Sequence, residues 1–271
     1  MPVPPRLFDR DLHRKRLDRA AAAFAEAGFL KRRAAADLVE RLETILRNFP
    51  RAVDLGARDG AFAQALARSP AHERIGFLIE TDLSTAMLGG RATPRVRMDE
   101  ERLAFADQSL DLIVSSLALH WVNDLPGCLI QIRRALRPEG LFMAALLGGE
   151  TLFELRTALM QAEAESLGGA AARVSPAVDA REALGLLQRA GFQFPVTDVD
   201  RVKVRYAHPL NLLGEIRAMG ETSAFADRRG PSLTRHTLAR ASEIYAQQFA
   251  DEDGRIAATF DIVTLTGWAP V

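Results

Sequence analysis

Between Arg51 and Leu147 short apolar runs alternate with helical stretches, and this alternation limits the possible folds more than any other feature of the chain. Candidate strands fall at Ala52–Leu55, Ile75–Ile79, Arg95–Met98, Leu110–Ser115 and Leu141–Leu147, with helical stretches near 61–68, 84–90 and 125–136 between them. Strand, helix, strand in succession implies right-handed βαβ units and a mostly parallel sheet. A run such as LFMAALL, apolar at every position, suits a strand covered on both faces. The helix at 125–136 is expected to stop at Arg137-Pro138-Glu139-Gly140, where proline ends it and glycine takes the turn.

Before this region, 9–30 and 34–47 read as helices, the second with Leu38, Leu42, Ile45 and Leu46 on one face and Asn48 and Pro50 at its end. After it, 151–167 reads as a long helix, and Asp179 with Glu182 opens another that closes at Gly191. A strand near Val196–Tyr206, helices around 209–219 and 232–249, and a last strand near Ala258–Gly267 complete the pattern. The extra helices are expected to form a cap over one end of the sheet. The expected division is 1–50 as an N-terminal helical segment and 51–271 as the main domain, with helical insertions near 151–178 and 207–255.

Lys plus Arg and Asp plus Glu both total 35, so no charge excess points to nucleic acid or anionic lipid. The single Cys128 excludes an intrachain disulfide and a Cys-based zinc cluster. No apolar run approaches the roughly 18–20 residues that span a bilayer. The N-terminal stretch has no secretory h-region and carries Asp9, Asp11 and Asp18, so a cytoplasmic protein is expected, with at most peripheral membrane association.

Four elements carry chemistry. The first strand runs into VDLGARDG, Val53–Gly60, with Asp54, Gly56, Ala57, Arg58 and Gly60 at the strand tip. In an open parallel sheet ligands bind beyond the carboxyl ends of the strands, where glycine lets the backbone come close. A purely structural turn reads the same way. The second strand ends at Asp82 and Leu83, with Asp82 lying 22 positions after Gly60. A carboxylate there can take a ribose diol or cap the helix that follows, and spacing does not decide between them.

Past the third strand, Asp99, Glu100 and Glu101 can offer an acceptor to an adenine amino group, or form a solvated acidic loop. Only Gly56 and Gly60 appear in the first turn, where a nicotinamide enzyme usually has three glycines. Ser115 to Val122, after the fourth strand, would face the reacting end of a cofactor. His120 there can serve as a general base, but the sequence offers it no charge partner, so a wall residue is the preferred expectation. The five histidines form no local metal-binding pair, and neither a Gly-x-Ser-x-Gly elbow nor a Walker loop occurs.

VDLG, Asp82-Leu83-Ser84, DEERLAFADQSLDLIVSS and RALRPEG together resemble class I S-adenosylmethionine-dependent methyltransferases. FDRDLHRKR, RNFPRAVDLG, SSLALHWVNDLPG, GGETLFELR, MGE at Met219–Glu221 and DEDGRIAATFDIVTLTGWAP narrow the resemblance to the methyltransferase-fold complex I assembly factors and their bacterial relatives. The resemblance implies an α/β Rossmann-like class I methyltransferase fold, with a seven-stranded, mostly parallel sheet flanked by helices and carrying a helical cap. It implies S-adenosylmethionine as cofactor and arginine hydroxylation of a quinone-module subunit of respiratory complex I. The malonyl-carrier-protein O-methyltransferases of biotin synthesis are also similar, across Gly149–Arg156 and Ala190–Tyr206, and a non-catalytic assembly chaperone is a third possibility. Arg58 departs from the family, which has glycine there. The preferred expectation is that Arg58 reaches the cofactor carboxylate; the alternative is that it fills the site.

Overall fold

The computed structural model describes residues 6–227 and 232–271; 1–5 of the N-terminal segment and 228–231 of the second insertion lie outside the described residues. Seven strands form one sheet in the order β3-β2-β1-β4-β5-β7-β6. They are β1 (Phe49–Leu55), β2 (Ile75–Asp82), β3 (Arg95–Arg97), β4 (Leu110–Ser116), β5 (Leu136–Gly148), β6 (Gln193–Tyr206) and β7 (Ile256–Trp268). The first five pair in parallel, and β7 runs against both β5 and β6. The strand order reverses between β1 and β4, which places a ligand crevice at their carboxyl ends.

The helices are α1 (Arg10–Ala20), α2 (Phe24–Ala27), α3 (Phe29–Glu43), α4 (Ala61–Leu66), α5 (Thr85–Leu88), α6 (Leu125–Ala135), α7 (Phe153–Leu167), α8 (Ala180–Ala190), α9 (Pro209–Ala218) and α10 (Arg235–Phe249). Both faces of the sheet are covered, so neighbouring strand residues enter opposite cores: Ala52 packs with Leu38 and Phe62, while Val53 packs with Ile113 and Leu129. Alternation in burial therefore vanishes from Ala52–Leu55 of β1 and from Leu112–Ser116 of β4, where every residue is buried.

Three local expectations differ from the fold. The single helix expected over 9–30 breaks after Ala20 and again at Gly28, where an added Cβ would stand 2.8 Å from the Phe24 ring. The next helix starts at Phe29 and stops at Glu43, so Leu46 is 87% exposed and belongs to no apolar face. Helix α6 does end before Arg137-Pro138-Glu139-Gly140, but that segment is already strand. Leu136 pairs with Leu110, the register then shifts, and Glu139 takes φ +59° as Glu139 N–H donates to the Ala269 carbonyl. The fixed φ of proline suits this extended entry as well as it suits a stop.

Candidate functional site

The first crevice wall is the turn from β1 into α4. Gly56 and Gly60 both take positive φ, +76° and +77°, and the amides of Gly56 and Ala57 donate to the Thr81 carbonyl at 2.9 and 2.8 Å. An alanine Cβ at position 56 would lie 2.2 Å from the Ala118 Cβ, so glycine is needed for close approach of the β1 and β4 tips. Asp54 is buried beneath this turn with both carboxylate oxygens unpartnered, and burial pushes its carboxyl up to about 7.

Arg58 turns its side chain inward, to the tip of β2. It takes φ +53°, a strained value for a residue with a Cβ, and its side chain is completely buried. Its backbone N–H and its guanidinium both donate to Asp82 Oδ2, at 2.9 and 2.7 Å, with Glu100 3.9 Å away. The carboxylate it reaches is thus the chain's own, which corrects the sequence expectation. The other oxygen of Asp82 accepts the Ser84 N–H at 2.8 Å, while Ser84 itself caps α5. Leu83 packs beside Leu17, Phe24 and Met87.

The three acids after β3 are not a solvated loop. Arg10, on α1, donates to Asp99 at 2.8 Å and to the buried Glu100, with Glu101 3.9 Å from its guanidinium. Glu101 accepts the backbone and side-chain N–H groups of Asn123. Burial raises the Glu100 carboxyl against the pull of Arg10 and Arg58. Beside them His13 lies buried with its ring stacked on Trp121, centroids 4.4 Å apart.

At the tips of β1 and β4 the Lys31 ammonium, from α3, donates to the Gly56 carbonyl at 2.8 Å, to the Ser116 carbonyl and to Ser116 Oγ at 2.9 Å. Burial pulls this ammonium down to about 8. Ser115, one residue earlier, donates to the Leu55 carbonyl at 2.7 Å and ties the two strands together.

Acceptors from four strand tips therefore converge on one crevice: the Gly56 and Ser116 carbonyls, Asp82 and Asp99. Each already holds a cationic donor of the chain. Such a donor-hungry crevice matches the chemistry of a ligand carrying an ammonium, a ribose diol and an adenine amino group, once Lys31, Arg58 and Arg10 give way.

Next to Lys31 and Arg58 opens a cavity of about 290 Å³ between the sheet tips and the cap. Leu30, Leu117, Leu147, Leu155, Leu213 and Ile216 are among the apolar residues of its wall. His120 reaches it and has the charge partner that the sequence did not reveal: its Nε2 lies 2.9 Å from Glu221 Oε2, which also accepts the Trp121 indole N–H at 2.6 Å. The Leu147 N–H donates to His120 Nδ1 at 3.4 Å. Both ring nitrogens are engaged, so in this arrangement His120 orients Glu221 and holds no free base position. Sequence reasoning missed Arg10, His13, Lys31 and Glu221 as site residues. Three of them sit in the FDRDLHRKR and MGE runs that carry the family resemblance; Lys31 has no such signal.

Among known proteins, the family model for a methyltransferase domain matches residues 53–144. The mitochondrial arginine-hydroxylase NDUFAF5 of Homo sapiens is 38% identical over 269 residues, covering 97% of this chain and 76% of its own. The malonyl-[acyl-carrier protein] O-methyltransferase of Halorhodospira halophila is 34% identical over 269 residues, covering 96% of this chain and 88% of its own. Among solved structures, the YcgJ protein of Bacillus subtilis superposes with a TM-score of 0.57 at 16% identity, over 88% of this chain and 98% of its own.

Proposed function

This chain belongs to the S-adenosylmethionine-dependent methyltransferase family, and we propose that it is an enzyme of that family that modifies an arginine of a protein partner during assembly of respiratory complex I. The partner in this reading is a quinone-module subunit, and the modification is hydroxylation, which takes one oxygen atom from dioxygen and two electrons and two protons from an external reductant, with water as the second product. The site of action is a bacterial cytoplasm near the inner membrane; no described helix is long and apolar enough to cross a membrane. The observation that supports it most is the extent of the likeness to the arginine hydroxylase. It runs over 97% of the chain and so includes α7 and α9, which wall the cavity, as well as the strand tips.

In this reading the cofactor is S-adenosylmethionine. Its ammonium would be held by the Gly56 and Ser116 carbonyls, its ribose by Asp82, and its adenine amino group by Asp99 beside Glu100. Asp54, Ala57, Gly60, Leu83 and Ser115 would shape the surrounding wall, and Arg58 would have to turn away from Asp82. When bound, the cofactor supplies a sulfonium, a positive centre with electrophilic substituents. His120 and Glu221 then orient the substrate group across the cavity.

Peptide mass spectrometry of the quinone-module subunit, with and without this gene, tests the reading. Gain of one oxygen on an arginine supports it, and an identical peptide map in both strains rejects it. A second reading, malonyl-carrier-protein O-methylation, is favoured by the 34% identity spanning 88% of that relative and by the cations Lys31 and Arg58 on the cavity wall, which suit a free carboxylate. Biotin auxotrophy on deletion would select it.

A further inference from the structure

The cavity under the cap has an uneven distribution of charge. Among the described residues that line it, Glu221 alone carries a carboxylate, against Lys31, Arg58 and Arg173. In the arrangement described the three cations are committed. Lys31 spends its hydrogen bonds on Gly56 and Ser116, Arg58 is on Asp82, and Arg173 donates to Glu163. Glu221 is committed through one oxygen only. Its Oε2 accepts from His120 and Trp121, while among the described residues nothing donates to Oε1. The acid is held by two aromatic donors in a fixed orientation, and the remaining oxygen has no partner on a mostly apolar wall.

The Glu221 side chain keeps 16% of its surface exposed, so its second oxygen is open to the cavity and can accept a donor from a ligand there. Burial opposes its charge, but His120, the Arg58 guanidinium and the Trp121 indole outweigh that and keep the Glu221 carboxyl below its ordinary range. It is therefore an anion across the neutral pH range. The leucines around it suit a flexible aliphatic stem, which gains by leaving water.

We infer that Glu221 is the specificity-determining residue of this cavity, taking through its free oxygen a guanidinium borne on an aliphatic stem, as in the side chain of arginine. This deepens the proposed protein-arginine reading, on which it rests, by naming the group that recognises the substrate. His120 and Trp121 are positioning residues, acting through Glu221.

The test is calorimetry of the full chain with N-butylguanidinium and with N-butylurea, its uncharged near-isostere. The guanidinium should bind the wild-type protein about tenfold or more tightly than the urea, because only the guanidinium brings a charged donor to the carboxylate. Glu221→Gln should abolish that discrimination while leaving the weak urea binding in place, and a purely structural role would not change the ratio. Should Glu221→Gln unfold, Glu221→Asp, which keeps the charge, should fold and retain the preference with weaker binding. Equal affinity for the two ligands, no binding of either, or discrimination that survives Glu221→Gln overturns the inference. Guanidinium selectivity with no modified arginine in the assembly subunit would leave this assignment standing and remove the hydroxylase reading alone.

Discussion

Arg58 donates to a single oxygen of Asp82 twice, once through its backbone N–H at 2.9 Å and once through its guanidinium at 2.7 Å, with neither side chain reaching solvent. The strained left-handed backbone at position 58 brings both donors to the same acceptor. In the proposed function a ribose hydroxyl would have to compete with this guanidinium for the one carboxylate.

Arg58→Gly should therefore tighten S-adenosylmethionine binding by about tenfold or more, read by calorimetry. Glycine takes φ near +53° without strain, which relieves about 1 kcal/mol, whereas loss of one partner of a buried ion pair costs about 3–5 kcal/mol. The ligand-free variant should thus melt at a lower temperature than wild type and recover when the cofactor is added. Unchanged affinity would mean that Arg58 already stands aside in solution.

Gly56 gives a second, independent check on the crevice geometry. An alanine there suffers both φ +76° and a 2.2 Å approach to the Ala118 Cβ. Overpacking costs about 1–3 kcal/mol and the backbone strain about 1–2 kcal/mol more. Adding Ala118→Gly to Gly56→Ala should restore the packing share and leave the backbone share, so thermal melts should show partial rescue. If the double variant is no more stable than Gly56→Ala, the β1 and β4 tips do not meet as described.

How much of this could be read from sequence follows from distance along the chain. Strands β1, β4 and β5 announce themselves through short, mostly apolar runs, because both faces of the sheet are covered. Asp82 and Asp99 are legible because one ends β2 and the other lies two residues past β3, and strand ends in this topology face the crevice. Arg58 stands out as unusual, yet its target lies 24 residues away and no local pattern reveals it. The clamp of Arg10 on Asp99 and Glu100 spans about 90 positions, and Trp121 to Glu221 spans 100. Ion pairs closed by tertiary packing leave no periodic trace, so the acids after β3 read as an adenine acceptor or a solvated loop, never as a clamp on Arg10, and His120 reads as partnerless.

Asp54 should give the protein a distinctive pH dependence. Its carboxyl is raised by burial from 3.8 to about 7, so the folded state holds a proton that the unfolded state releases. Its contribution is present below the unfolded value and is lost as pH rises from about 4 through 7. Asp54→Asn lacks that proton, so the melting temperature of the variant relative to wild type should climb across this window and level off above it. A pH-independent difference would place the carboxylate in contact with water or with an unrecognised cation.

His13 should act in the opposite sense. Burial first, and then the positive charges of Arg58 and Arg10, hold its imidazole well below the ordinary 6.5, so it is neutral in the fold while Nδ1 has no hydrogen-bond partner. The unfolded chain takes up a proton there as pH falls through 6.5, and the folded chain does not. Stability from this group is complete above that value and drains away on acidification. His13→Phe keeps an aromatic ring stacked on Trp121 but has nothing to protonate. Between pH 7.5 and 5, denaturant unfolding followed by tryptophan fluorescence should show wild type losing ground to His13→Phe. Parallel curves would mean that protonated His13 is accommodated, and therefore that α1 lifts from Trp121 and opens the acids of the crevice to water.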